Sequence, residues 1–453
     1  MGAASSYALG LAGLGEAAAF SAGDDYKALV CVFLYGGNDH NAMLVPFDAT
    51  NYARYAEIRG GDGEGGGGLT PARSDLSATV LSIPPGQVTN HDITYALSPA
   101  MPNLARLYAS GDMAPLLNVG PLLAPMTLAQ YKSGAVPRPP KLFSHNDQQS
   151  SWQAYSTEGA TIGAGGRMGD LAMSSNHNAL FTCMSAAGNA VFLSGQRALS
   201  YQISPNGAIP VNGVKGGVYG SRSAGDALSA LLTQANPHVL AADHCAIVKR
   251  SIEAEAFVTA ALEPVRLGTS FAPASGSNGL AGQLNVVARL IAARRAMGVK
   301  RQVFMVSMGG FDTHDNQPTK HPQLMGQLDF ALSAFHAAMV ELGVADKVTT
   351  FTASDFGRTL ASNGDGSDHG WGSHHLVMGG AVRGGRYYGT APAISLKTED
   401  QVGNGRLLPT TSVDQYMGTL GRWFGVADSE LSAIAPNLGR FATPDLGFMA
   451  PAA

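Results

Sequence analysis

An α/β fold built on a largely parallel sheet is predicted by three features of the sequence. Ala28-Leu-Val-Cys-Val-Phe-Leu34 is an apolar run without alternation, the mark of a strand buried on both faces. Helical stretches follow and precede such runs, the order that produces right-handed crossovers and parallel pairing. Four apolar runs end in small-residue turns followed by acidic and imidazole side chains. In a sheet flanked by helices these would gather in the crevice outside the carboxyl ends of the strands.

Composition narrows the class. The 453 residues are 45% hydrophobic and only 14% charged, enough to bury a large core as one big domain or two ordinary ones. A net charge of -4 argues against nucleic-acid binding through a basic surface. Three cysteines form neither a metal-ligand pattern nor a disulfide framework. Cys31 reads as a buried thiol, and Cys183 with Cys245 would pair only in an oxidising compartment and only if the fold brings them close. Residues 1–25 are small and apolar, with no basic residue before Lys27. They read as a truncated signal peptide or a disordered arm. No later stretch reaches the ~20 apolar residues that span a bilayer, so no membrane span is expected in the mature protein. Residues 26–453 are expected to form a single domain, with a Gly/Ser-rich excursion at about 156–223 that decorates the pocket.

The organising stretch is Ser307-Met-Gly-Gly-Phe-Asp-Thr-His314, where the strand Val303–Ser307 runs into a glycine turn and delivers Asp312 and His314. Tyr35-Gly-Gly-Asn-Asp-His40 follows the first strand in the same way; Asn38 and Asp39 either project as ligands or bond to nearby turn amides. Gly60–Gly68 is a flexible loop without the Lys-Ser/Thr of a phosphate cradle. Ser98–Tyr108 reads as a helix with Ser98 as N-cap and Gly111 as stop, leading to a strand over Ala114–Gly120 beside the first. Ser144, ahead of His145 and Asp147, stands at a helix start. It is either the N-cap alone or a nucleophile favoured by free amides and the positive helix end.

Ala190–Leu193 reads as a short strand, Ala224–Leu262 as helical, and Leu280–Met297 as an amphipathic helix with Leu284, Val287, Leu290 and Ile291 on one face. His321 closes the next loop and Leu324–Leu342 is helical. Lys347–Thr359 repeats strand-then-ligand with Ser354, Asp355 and Arg358. Gly366–His375 sets His369, His374 and His375 among glycines, a density that points to metal ligation or acid–base work rather than a solvated loop. A final helix covers Val413–Phe424.

Gly36-Gly-Asn-Asp39, Ser144-His145, Gly309-Gly-Phe-Asp-Thr-His314, Ser354-Asp-Phe-Gly-Arg-Thr359 and Asp368-His-Gly370, in that order, resemble the domain-of-unknown-function family fifteen-oh-one. The resemblance covers nearly the whole chain after residue 25. It implies the alkaline phosphatase and sulfatase superfamily: a three-layer α/β/α sandwich with metal ligands on strand ends and the nucleophile at a helix N-terminus. It also implies export, often by a twin-arginine signal, to the periplasm or beyond. Carried over, Asp39 is the first-strand metal carboxylate, and Ser144 stands near the nucleophile position. Asp312 and His314 serve one metal, Asp355 a second, and His369 is the late histidine ligand, with His374 or His375 as substitutes.

Such ligands suit one or two divalent ions, Zn, Mn or Mg. Two ions would clamp the attacking and leaving oxygens of phosphoryl or sulfuryl transfer. Arg358 would bind an equatorial oxygen bidentately, with His145 beside it. The expected activity is hydrolysis of phosphate or sulfate esters, on a small molecule or a polysaccharide. The other reading is a binding or assembly protein on a degenerate hydrolase scaffold, handling an exported polymer or partner protein. It is motivated by the Gly/Ser-rich excursion and by Phe356, not histidine, after Asp355.

Overall fold

The computed structural model describes residues 20, 25–60 and 68–451. The expected arm at 1–25 and the glycine loop at 60–68 therefore fall almost wholly outside the described residues.

The chain is a mixed α/β structure on a central, mostly parallel sheet. The strands that position the site are β1 (Lys27–Leu34), β2 (Met113–Gly120), β3 (Cys183–Ser185), β4 (Ser200–Ser204), β5 (Arg301–Met308), β6 (Val348–Ser354), β7 (Arg358–Ser362), β8 (Ser367–His369) and β9 (Ser373–Met378). The central order is β2-β9-β6-β1-β5-β3-β4, and β7 pairs with β8 in a separate hairpin. β1 runs parallel to both β5 and β6, and Leu34 lies level with Met308 and Ser354. Three carboxyl ends thus finish at one height. β9 runs antiparallel to β6 and to β2. β2 therefore points the same way as β1 but is separated from it by β6 and β9, not placed beside it as the sequence suggests.

The helices that bear on the site and the core are α1 (Pro102–Ser110), α2 (His145–Ala154), α3 (Ala164–Ala172), α4 (Arg222–Thr233), α5 (Val239–Leu262), α6 (Gly279–Ala292), α7 (Gln317–Glu341) and α8 (Val413–Phe424). Alternate residues of β1 supply two cores. Ala28, Val30, Val32 and Leu34 pack with Leu284 and Val287 of α6 and Leu328 and Leu332 of α7. Leu29, Cys31 and Phe33 pack with Trp152, Met168, Tyr416 and Leu420 of α2, α3 and α8. A sheet buried on both faces by helices is a three-layer α/β/α arrangement, and it explains why β1 shows no polar alternation.

Several boundaries differ from the sequence reading. α1 starts at Pro102, not Ser98; Ser98 instead closes a turn through its carbonyl to the Met101 amide (2.8 Å). Gly111 does end that helix, with φ 87°. α7 begins at Gln317 and carries His321 and Pro322 within it, so His321 lies inside the helix and does not close the loop before it. Val191–Leu193 is a single tight helical turn, while β3 and β4 from the same Gly/Ser-rich region lengthen the central sheet beyond β5. All three cysteines are free: Cys183 is buried in β3, and Cys245 lies on the half-exposed part of α5. From Ser221 to Ser251 only Gly225 is buried, so α4 and the first half of α5 stand off the body. Among the described residues no helix is long and apolar enough to cross a membrane.

Candidate metal centre

The levelled ends of β1, β5 and β6 deliver three loops to one place. Gly36 turns with φ 112°, and a Cβ there would overlap the backbone nitrogen of Asp312, so only glycine lets the loops touch. Past the Gly309-Gly310 turn come Asp312 and His314; past β6 comes Asp355. The β7–β8 hairpin places Arg358 opposite His369. α2 enters from the side with His145 as its first residue. Phe143, just before it, is held in the left-handed region (φ 72°), an uncommon conformation for a bulky residue.

Three imidazoles converge on Asp312. His145 Nε2 lies 3.6 Å from Asp312 Oδ2, and the Nε2 atoms of His314 and His369 lie 3.1 and 3.4 Å from Oδ1. The other nitrogen of each ring has its own neighbour. His145 Nδ1 donates to Asp355 Oδ2 (2.6 Å), His369 Nδ1 donates to the Phe143 carbonyl (2.8 Å), and His314 Nδ1 lies 3.4 Å from Asp368 Oδ1. A carbonyl only accepts, so the His369 hydrogen sits on Nδ1 and its Nε2 presents a lone pair. A partner on the far ring nitrogen is what orients metal-ligating histidines. Asp355 is itself buried, and its Oδ2 also receives Gln149 Nε2 (2.9 Å) and the Gly36 amide (3.1 Å).

His314 Nε2 and His369 Nε2 face each other at 2.8 Å. That is an N–H···N hydrogen bond: His369 Nε2 offers its lone pair, and the Nε2–H tautomer of His314 donates to it. The donor atoms of His145, Asp312 and His369 all lie within 4.8 Å of one another, a spacing that one divalent ion can bridge. Electrostatics readies Asp312 and His369 for a metal ion, whereas it biases His145 toward its protonated form. The hydrogen bond to Asp355 raises the His145 pKa, against the effect of burial. Burial lowers that of His369, partly opposed by the Phe143 carbonyl, and so keeps the imidazole neutral. For Asp312 burial pushes upward, but the Arg358 guanidinium outweighs it and holds the carboxyl below its usual range. Metal binding needs deprotonated ligands of this kind. The ring of Phe356 lies 4.9 Å from His145 and 4.6 Å from His369 and floors the cluster.

Other expected site residues sit elsewhere or do something else. Asp39 is enclosed by Arg59 and Gln317 and caps the turn at Asn41 (3.0 Å), so its charge is already met inside the protein. Arg358 does not offer its fork to a ligand. It is fully buried and donates to the carbonyls of Gly37 (2.8 Å), Gly36 (2.8 Å) and Ser367 as well as to Asp312. Ser144 occupies the N-cap position of α2, and its hydroxyl donates to Asp147 Oδ2 (2.9 Å). His374 is in β9, not in a glycine loop. Its Nδ1 accepts from the Asn118 amide (3.0 Å) and its ring meets His40 edge-on at 4.8 Å. His375 contacts Thr352 and the Trp152 ring. Gln149 and Phe143 were missed. Gln149 falls one helical turn after His145, a spacing visible in the sequence; the Phe143 carbonyl leaves no side-chain signal.

The family described as "Protein of unknown function (DUF1501)" matches residues 233–436, the part that contains Asp312, His314, Asp355, Arg358 and His369. No curated protein matches the chain. Among solved structures the chain is similar to Ps i-CgsB in complex with k-i-k-neocarrahexaose. The identity is 8% and the TM-score 0.37, over 93% of this chain and 78% of that one. It is also similar to the PsFucS1 sulfatase from Pseudoalteromonas sp., at 8% identity and TM-score 0.35, over 90% and 69% of the two chains. A third is the lipoteichoic acid synthase LtaP from Listeria monocytogenes, at 9% identity and TM-score 0.34, over 91% and 77%.

Proposed function

We propose that the protein is an exported, metal-dependent hydrolase of phosphate or sulfate esters. The observation that carries this reading is the convergence of His145, Asp312 and His369, whose ligand atoms all lie within 4.8 Å of one another. Asp312, His145, His314 and His369 would hold one divalent ion; Zn²⁺ or Mn²⁺ suits a three-imidazole, one-carboxylate set better than Mg²⁺. When bound, such an ion polarises an ester oxygen and makes water a competent nucleophile at neutral pH.

The rest is done by the chain's own groups. Asp355, the Phe143 carbonyl and Asp368 each hold one ring in the orientation that aims Nε2 at the centre. Arg358 keeps Asp312 charged and in place, and Phe356 closes one side to water. Asp312 and His314 remain partly open to solvent, leaving a face for the ester. Ser144 is turned onto Asp147, so attack by water replaces the serine nucleophile in this scheme.

The test joins metal analysis to turnover. The purified protein is expected to carry about one Zn²⁺ or Mn²⁺ per chain, and to cleave aryl phosphates or sulfates until a chelator strips the ion. His369→Ala should lose both properties, whereas Ser144→Ala should keep the metal and lose less than about tenfold in rate, since only a cap is removed. Absence of bound metal and of turnover in the wild type would overturn the reading.

One observation favours the other reading, a binding or assembly protein for an exported partner. Seven of the eleven large apolar side chains exposed among the described residues lie between Ile209 and Phe257, on and around the projecting α4–α5 hairpin.

A further inference from the structure

The metal centre has a basic rim on one side. From residue 121 to residue 146 the sequence contains Lys132, Arg138 and Lys141 and no Asp or Glu. Tyr131 and Phe143 from this stretch pack against a small cluster around the buried Trp371, two residues after His369. Each ring carries a guanidinium on its face: Arg138 lies 5.0 Å from the Tyr131 centroid and Arg406 lies 5.3 Å from that of Phe143. Arg406 is tied to the centre, donating from Nε to the His369 carbonyl (2.8 Å). Lys141 is engaged by Asp147 (3.3 Å), but Lys132 and Arg138 have no carboxylate partner among the described residues. Stacking on a ring pre-positions a guanidinium while its edge N–H groups stay free, which suits planar oxyanions. In a chain of net charge -4, such a cluster is a local reversal of sign.

We propose that this rim is an anion subsite that seats the sulfate or phosphate groups flanking the scissile ester on a polyanionic glycan. Arg406 takes the group next to the metal centre, and Arg138 with Lys132 takes one further along the chain. The alternative polyanion is a nucleic acid. It is disfavoured because Tyr131 and Phe143 are partly buried against the Trp371 cluster and leave little ring for bases to stack on. The assignment of the scissile group rests on the ester-hydrolase reading, but the subsite itself is read out by binding alone.

The test uses the full-length protein at pH 8, above its isoelectric point of about 6.3, where the overall charge repels polyanions. Dextran sulfate is expected to bind at low salt and to weaken steeply with added NaCl, both with and without EDTA, while neutral dextran does not bind. Lys132→Gln with Arg138→Gln should weaken binding about tenfold and flatten the salt dependence, as should Arg406→Gln, with unchanged far-UV circular dichroism. If turnover fails but EDTA-treated protein still binds dextran sulfate, the hydrolase reading falls and the subsite stands. No binding at low salt, equal binding by the double variant, or stronger binding of single-stranded DNA than of dextran sulfate would overturn it.

Discussion

Replacing Arg358 with methionine is expected to destabilise the fold by about 3–5 kcal/mol, measured by urea unfolding in the presence of chelator. The guanidinium is fully buried and is the shared donor for three backbone carbonyls from two distant segments. Methionine fills similar volume but leaves those acceptors buried without partners, at about 1–3 kcal/mol each. Asp312 adds less to the loss, because about half of its side chain is exposed and water can replace the lost partner. Arg358→Lys keeps the charge but reaches fewer of the four acceptors, so it should fall between wild type and methionine. If the methionine variant unfolds at the same urea concentration as the wild type, Arg358 is not the clamp described above.

Acid should unfold the protein unusually early. His40, His321, His374 and His375 are all fully buried, and burial holds each below the ordinary histidine value: about 4 for His40 and His321, about 3 for His375, and far down for His374. In the unfolded chain all four take up protons as pH falls through about 6.5, while the folded chain takes up almost none until about pH 4. Stability is therefore fully present above pH 6.5 and is lost between there and pH 4. The slope is about 1.4 kcal/mol per pH unit for each group, so on the order of 5 for the four together.

Asp414, raised to about 6 by burial, works in the opposite direction, gaining stability as pH falls through the same range. Asp329, raised by burial, and His145, raised by its bond to Asp355, act with it, so part of the loss is offset. Against a typical total of about 5–15 kcal/mol, the acid midpoint is expected within about one to three pH units below 6.5. Urea midpoints recorded with EDTA at pH 7.5, 6.0 and 5.0 would show it; a flat profile would mean that these histidines are solvated in the native state.

Much of the fold was legible, because apolar runs ending in Gly-Gly or Ser-Asp report strands buried on both faces and the edge from which the loops leave. Asp312, His314, Asp355, His145 and His369 were all named from sequence, and the structure brings them together. What sequence could not show was which ionisable groups already had partners. Asp39 looks like a ligand until Arg59 and Gln317 close around it. His374 and His369 sit in one glycine-flanked stretch, yet one is in a sheet interior and the other at the open end of the β7–β8 hairpin. Arg358 reads as a substrate arginine, and only the carbonyls of Gly36, Gly37 and Ser367 reveal where its hydrogens go. The helix α7 starts at Gln317, seven residues before the Leu324 read from sequence; Pro318 and Pro322 both lie in its first two turns, where the loss of an amide is tolerated at the start and costs one bond further in.

The level finish of β1, β5 and β6 has a kinetic consequence. His145 and Asp312, about 170 residues apart along the polymer, become neighbours only after the sheet has been zipped to its last rung. An ion cannot template that assembly, since no pair of its nearest donors on different strands is local in the chain. It would act as a late latch on a finished body. The apo chain should thus fold first and load afterwards.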